Sequence, residues 1–166
     1  MYTYKIYNNI SAEGIDCLEV NGFTKEEKNP DALLIRSQLV NEGDFNKSLK
    51  CICRAGAGVN HIPIDMATER GVVVFNTPGG NANAVKEVVI YDLLHSSRGI
   101  IQGHQFAQTL SNHDADELTH LVETNKTNVK GNEVKGKTIG ISGLGAIGSL
   151  LAQSVVSMDM KVIGYD

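Results

Sequence analysis

The chain has 166 residues, and its 15 Lys and Arg against 19 Asp and Glu give a formal net charge of −4. This balance excludes a strongly basic surface, so nucleic acid is not an expected partner. No apolar run approaches the ~20 residues that span a bilayer, and no apolar signal-peptide core follows Met1. We therefore expect no membrane partner and a cytoplasmic location.

Segments typical of strands and helices alternate over the first hundred residues. The expected strands are 4–7, 32–35, 51–53 and 72–75, and short helices are expected after Ser11 and from Asp65 to Arg70. A longer helix is expected from Ala84, followed by a polar connector at about 102–132 with one helix near 116–123. This alternation predicts an α/β fold with parallel strands.

Cysteine and histidine spacing argues against metal binding and against a disulfide framework. The three cysteines, Cys17, Cys51 and Cys53, include no C-x-x-C pair, and the five histidines follow no metal-ligand pattern. On a strand, Cys51 and Cys53 would share one face as small apolar side chains.

The sharpest motif is Gly143-x-Gly145-x-x-Gly148, placed between an expected strand at 137–142 and an expected helix. A second strand at 161–165 completes a β-α-β unit, and Asp166 follows it, 18 residues after Gly148. In a dinucleotide site the glycines allow a tight turn, close approach of the backbone to a pyrophosphate and helix packing, while the acidic residue binds the ribose hydroxyls. Asp166 favours NAD over NADP, since its charge would repel a 2′-phosphate. A glycine-rich turn without a ligand is the alternative.

Four segments, 54–59, 71–78, 81–87 and 136–148, occur together in the order and spacing of a known family. On these segments the chain resembles the D-isomer-specific 2-hydroxyacid dehydrogenases and, among them, those that act on 3-phosphoglycerate. The resemblance covers nearly the whole chain and is weakest at about 102–132.

The resemblance implies a flavodoxin-like substrate-binding domain at residues 1–98, then a connector and the first β-α-β unit of a Rossmann NAD-binding domain at 99–166. It also implies a homo-oligomer that uses NAD to oxidise a small phosphorylated 2-hydroxy acid, 3-phosphoglycerate, to 3-phosphohydroxypyruvate, a step of serine biosynthesis. Because such a domain has about six parallel strands, we expect the chain to be the front part of a longer protein.

The resemblance also implies roles for particular residues. Arg36 and Arg54 match basic residues near the substrate phosphate, and Asn81 would line the substrate pocket. The backbone amides around Ala57 and Gly58 would face the substrate carboxylate and the nicotinamide end of the cofactor.

At the glycine turn, the family pattern places the amides of Ala146 and Ile147 on the pyrophosphate, together with Gly143, Gly145 and Gly148. Asp166 would hold the adenosine ribose. The family's catalytic Arg, Glu and His would lie beyond residue 166, so we assign no catalytic residue and expect the chain alone to be inactive.

Two departures from the family pattern and three alternatives remain. Asn60 stands where the family often has Asp, and Lys86 replaces a residue that is commonly small. Arg36 could instead form an ordinary surface ion pair with Asp31 or another carboxylate. The chain could also act on another 2-hydroxy acid, or be a non-catalytic NAD-binding regulatory or interaction module.

Overall fold

The structure, a computed structural model, describes all residues from 1 to 166, which form two compact units, Met1–Asn81 and Ala82–Asp166. Each unit has its own apolar core. No helix of the chain is both long enough and apolar enough to span a bilayer.

The first unit is built on a five-stranded parallel sheet in the order β2-β1-β3-β4-β5. The strands are β1 (Thr3–Ile6), β2 (Thr24–Lys25), β3 (Ala32–Ile35), β4 (Cys51–Arg54) and β5 (Val73–Phe75). Two helices, α1 (Ala12–Val20) and α2 (Ile64–Glu69), and a 3₁₀ turn at Glu42–Asp44 connect them.

The central strand β3 is apolar throughout because both of its faces are covered. Ala32 and Leu33 point to opposite faces of the sheet, and both are buried. Leu33, Ile35 and Ile52 form the middle of the core, against which the side chains of α2 and the loops pack. The strand predicted at 32–35 is confirmed.

The second unit contains four helices and a parallel pair of strands. They are α3 (Ala82–Ser97), α4 (Ile100–Gln108), α5 (Ala115–Asn125), β6 (Thr138–Ser142), α6 (Ala146–Val156) and β7 (Lys161–Tyr165). Leu151 and Val155 of α6 are buried beneath apolar side chains of α3, including Val89 and Leu93. This packing groups α3 with the second compact unit. The assignment of residues 1–98 to a substrate-binding domain and of 99–166 to a connector and NAD-binding domain stays a prediction.

The predicted α/β class with parallel strands is confirmed, and so is the helix that begins after Ser11. The Ser11 hydroxyl accepts a hydrogen bond from the Gly14 amide at 3.4 Å, which caps α1. Cys51 and Cys53 share one face of β4, as expected from their spacing.

Two elements were missed, and each has a physical reason. The edge strand β2 has two exposed polar residues, so no apolar alternation marks it. The helix α4 covers the beginning of the expected connector at 102–132. Gly103 in its interior lowers the helix propensity of the segment, and none of its residues is fully buried, so the sequence did not indicate a helix there.

Candidate functional site

A cavity of about 610 Å³ opens at the carboxyl edge of the sheet in the first unit. Ligands of open parallel sheets bind at this edge. Its lining residues follow three neighbouring strands and are Arg36, Ser37, Arg54, Ala55, Gly56, Ala57, Gly58, Thr77, Gly80 and Asn81. The structure therefore brings together all five residues that the sequence analysis assigned to the substrate.

The guanidinium of Arg54 lies across the glycine turn that follows β4. Its Nε donates a hydrogen bond to the Arg36 carbonyl oxygen at 3.1 Å, which ties the ends of β3 and β4 together. A Cβ on Gly58 would come within 3.0 Å of Nη1 of Arg54. Glycine at position 58 thus leaves room for the guanidinium to lie over the turn.

The same turn is held from the other side by residues that follow β5. The Asn76 side-chain amide donates to the Ala57 carbonyl oxygen at 2.7 Å, and the Thr77 amide donates to the Gly56 carbonyl oxygen at 3.0 Å. The sequence analysis missed both residues. Their place just after the apolar edge strand β5, which pairs with the strand that ends at Arg54, is the signal that could have found them.

The electrostatics of the cavity favour an anion. Neither Arg36 nor Arg54 takes part in an ion pair with a carboxylate, and no Asp or Glu lines the cavity. Two guanidinium groups without a carboxylate can each offer several donors to a phosphate or carboxylate ligand.

The alternative pairing of Arg36 with Asp31 is wrong. Asp31 precedes β3, at the opposite edge of the sheet, and its carboxylate binds Lys50 and the Thr3 amide. The Lys50 ammonium lowers the pKa of the Asp31 carboxyl, and the hydrogen bond from the Thr3 amide adds to the effect. Arg36 is left free for the cavity because strand direction separates it from that carboxylate.

The second candidate site is the turn between β6 and α6. Gly143 has φ +89°, a left-handed conformation that favours glycine, and its amide donates to the Tyr165 carbonyl oxygen at 2.7 Å. A Cβ on Gly148 would lie 1.9 Å from the Gly143 carbonyl oxygen. The backbone conformation therefore favours glycine at position 143, and close packing requires it at position 148.

Gly145 differs from its neighbours because nothing in the chain requires it to be glycine. A Cβ built there meets no heavy atom within 4 Å. Gly145 precedes α6, whose first-turn amides, including those of Ala146 and Ile147, have no intrahelical acceptor. An open surface at the positive end of a helix fits a dinucleotide pyrophosphate.

Asp166 lies at the same edge as this turn. It follows Tyr165, whose carbonyl oxygen accepts the Gly143 amide, and its side chain is exposed. A further close approach, at Gly164 in β7, was missed by the sequence analysis. A Cβ there would come within 2.7 Å of the Leu144 side chain, so Gly164 lets the turn fold over the strand. A glycine inside a strand is the signal.

The profile of the family described as D-isomer specific 2-hydroxyacid dehydrogenase, catalytic domain, matches residues 14–158. The chain belongs to this family. It is 34% identical to a D-3-phosphoglycerate dehydrogenase of Archaeoglobus fulgidus, over 95% of this chain and 31% of the relative. It is 40% identical to the D-3-phosphoglycerate dehydrogenase of Bacillus subtilis, over 82% of this chain and 24% of the relative. The chain thus spans about a quarter to a third of the length of these curated relatives.

Solved structures confirm the fold of this member of the 2-hydroxyacid dehydrogenase family. It matches the TT0316 protein of Thermus thermophilus with a TM-score of 0.78 at 22% identity, covering 98% of this chain and 55% of the other. It also matches the NAD⁺-bound 3-phosphoglycerate dehydrogenase of Entamoeba histolytica with a TM-score of 0.71 at 23% identity, covering 99% and 54%. The predicted flavodoxin-like unit followed by the start of a Rossmann unit is confirmed at the level of the fold.

Proposed function

We propose that this chain supplies the substrate cavity and the dinucleotide turn of an NAD-dependent dehydrogenase whose substrate is 3-phosphoglycerate. The product would be 3-phosphohydroxypyruvate, and the step would belong to serine biosynthesis. The observation that carries the proposal is the cavity with two guanidinium groups and no carboxylate. The similarity to two D-3-phosphoglycerate dehydrogenases supports the same substrate.

The substrate has an anionic group at each end, and the cavity has donors of two kinds. We assign the phosphate to Arg36 and Arg54, because a guanidinium offers a planar fork that suits phosphate oxygens. We assign the carboxylate to the backbone amides around Ala57 and Gly58, in the turn held by Asn76. Asn81 lines the cavity and offers an amide to the substrate.

We assign the cofactor to the glycine turn of the second unit. The bound cofactor would supply the hydride acceptor for oxidation of the substrate 2-hydroxyl to a carbonyl. The amides of Ala146 and Ile147 would hold the pyrophosphate, and the Asp166 carboxylate would accept hydrogen bonds from the adenosine ribose. Ala57 would stand at the nicotinamide end, as the family pattern implies.

The proton of the 2-hydroxyl needs an acceptor, and we assign none in this chain. The cavity side chains with polar groups offer guanidinium, hydroxyl and amide groups, none of which is a base near neutral pH. Positioning of the substrate anion is the contribution to catalysis that the cavity residues can make.

Calorimetric titration of the 166-residue chain with 3-phosphoglycerate and with unphosphorylated D-glycerate tests the substrate class. Arg54→Ala should weaken 3-phosphoglycerate binding roughly 10- to 150-fold, which corresponds to ~1.5–3 kcal/mol for hydrogen bonds to a charged group. D-glycerate binding should change much less, since it lacks the phosphate.

Arg98→Ala is the matched control, because it removes the same charge from an exposed residue of the other compact unit. It should leave both affinities unchanged. Equal weakening of both ligands by Arg54→Ala would point to a disturbed fold and not to a phosphate site. Tighter binding of D-glycerate than of 3-phosphoglycerate by the parent chain would favour another 2-hydroxy acid.

A further inference from the structure

Asn8 holds the loop that carries Arg36, although it does not line the cavity itself. Its side-chain oxygen accepts hydrogen bonds from three successive backbone amides, those of Arg36 at 3.3 Å, Ser37 at 3.0 Å and Gln38 at 2.9 Å. The three donors converge on one atom, so the backbone after β3 is fixed in a tight curve around this oxygen.

The backbone of Asn8 is itself in an uncommon conformation. Its φ of +71° lies in the left-handed region, which asparagine tolerates better than most residues. This conformation follows β1, the strand next to β3, and directs the side chain towards the loop after β3. Asparagine therefore meets two requirements at this position, the backbone conformation and the acceptor oxygen.

The effect of Asn8 extends from Arg36 to Arg54. The Arg36 carbonyl oxygen accepts the hydrogen bond from Arg54 Nε at 3.1 Å, so the orientation of the second guanidinium depends on the path of the same loop. If the loop moved, Arg36 would lose its direction and Arg54 would lose its acceptor. One side-chain oxygen thus supports both cationic groups of the cavity.

We propose that Asn8 is a positioning residue for anion binding, which acts by fixing the loop at residues 36–38. The inference rests on the proposed function, because the anion is the phosphate of the substrate assigned above. It adds to that function a residue outside the cavity whose loss disorders both guanidinium groups while their charges remain.

The test compares four variants of the 166-residue chain with the parent. Asn8→Ala removes the acceptor, and Asn8→Gly removes it while suiting the left-handed backbone, so agreement between the two isolates the hydrogen bonds from backbone strain. Asn8→Asp keeps an acceptor oxygen. Asn9→Ala is the control, since the neighbouring asparagine is exposed and its side chain makes no hydrogen bond within the protein.

Two measurements are made on each variant: exchange of the Ser37 and Gln38 amide hydrogens, and calorimetric binding of 3-phosphoglycerate. Asn8→Ala and Asn8→Gly should each speed amide exchange and weaken binding about tenfold, the scale of losing one or two net hydrogen bonds. Asn8→Asp should keep the amides protected and bind 3-phosphoglycerate with an affinity within about threefold of the parent's. Asn9→Ala should match the parent in both measurements.

The possible failures are distinct. Unchanged amide exchange or unchanged binding in Asn8→Ala and Asn8→Gly would overturn the role of Asn8 while the parent still bound its ligand. Rapid exchange and weak binding in Asn8→Asp as well would also overturn it, because the acceptor would not then be the cause. No binding of 3-phosphoglycerate by the parent would overturn the proposed function, and the positioning role with it.

Discussion

The cavity of the first unit and the glycine turn of the second lie at the same kind of place, the carboxyl edge of parallel strands. They differ in the part of the chain that forms the binding surface. At the cavity, the surface includes the charged side chains of Arg36 and Arg54. The backbone amide of Arg36 donates a hydrogen bond to the Asn8 side chain, and the guanidinium of Arg54 donates one to the Arg36 carbonyl oxygen. At the turn, the surface is backbone, and its shape depends on the left-handed conformation of Gly143 and on the close packing at Gly148, where a Cβ has no room.

Because of this difference, we expect the residues that bind ligand and the residues that stabilise the fold to be divided differently at the two sites. Arg36 is exposed and Arg54 is half-buried, so their replacement should affect ligands more than folding. At the turn, neighbouring glycines divide the two tasks, since Gly148 serves packing and Gly145 faces open space. The following predictions test this division, beginning with the largest expected effect.

Gly148→Ala should destabilise the second unit by about 3 kcal/mol or more, because the added Cβ would lie 1.9 Å from a backbone oxygen that cannot rotate away. Denaturant unfolding followed by circular dichroism measures the loss. Gly140→Ala in β6 is the control, since a Cβ there meets no heavy atom within 4 Å. A wild-type unfolding free energy for Gly148→Ala would show that the helix is not packed against the strand as described.

Gly145→Ala should give the opposite result, with stability changed by less than about 1 kcal/mol, the scale of a helix cap. NAD binding should fall by about 2 kcal/mol, since a methyl group would separate the pyrophosphate from the first-turn amides, whose hydrogen bonds to a charged group carry ~1.5–3 kcal/mol. Titration of NADH fluorescence measures the affinity. Retained NAD binding in a folded Gly145→Ala chain would remove the turn from the cofactor site.

Asp166 should set the choice between the two nicotinamide cofactors. The parent chain should bind NADH more tightly than NADPH by ~1–3 kcal/mol, the cost of leaving a polar group without its partner. Asp166→Asn should narrow this difference, because the side chain keeps its size and loses the charge that repels a 2′-phosphate. Equal affinity of the parent for both nucleotides would contradict the role given to Asp166.

Asp31 should contribute to stability and not to binding, with a small effect that depends on pH. Lys50 and the Thr3 amide lower its pKa in the folded state, so its contribution is complete above the unfolded pKa, near 3.8, and is lost as the pH falls through the folded pKa. Unfolding midpoints measured from pH 2 to 6 should fall less steeply for Asp31→Asn than for the parent.

The exposed, unpaired Asp16 provides the control, and Asp16→Asn should follow the parent curve. Binding of 3-phosphoglycerate at neutral pH should be the same in Asp31→Asn and the parent, because Asp31 lies at the edge of the sheet away from the cavity. A weakened affinity would mean that the two edges are coupled.

The amino-acid sequence by itself determined the parallel α/β fold and the glycine turn. Buried parallel strands require short apolar runs such as Ala32–Ile35, and a strand-to-helix turn over a pyrophosphate requires glycines at fixed spacing. Both requirements concern residues that are close together in the sequence, so the sequence alone reveals them. The same logic could not find β2 or α4, whose residues bury little apolar surface.

Only the tertiary structure decided which side chains meet at the cavity and what holds them. Arg36 and Arg54 were candidates by resemblance, but their lack of carboxylate partners depended on where Asp31 lies. Asn8, Asn76 and Thr77 were not singled out, because each bonds to backbone atoms 19 to 30 residues away. Hydrogen bonds between loops of separate strands depend on strand order and register, which arise when the sheet assembles and leave no periodic mark along the chain.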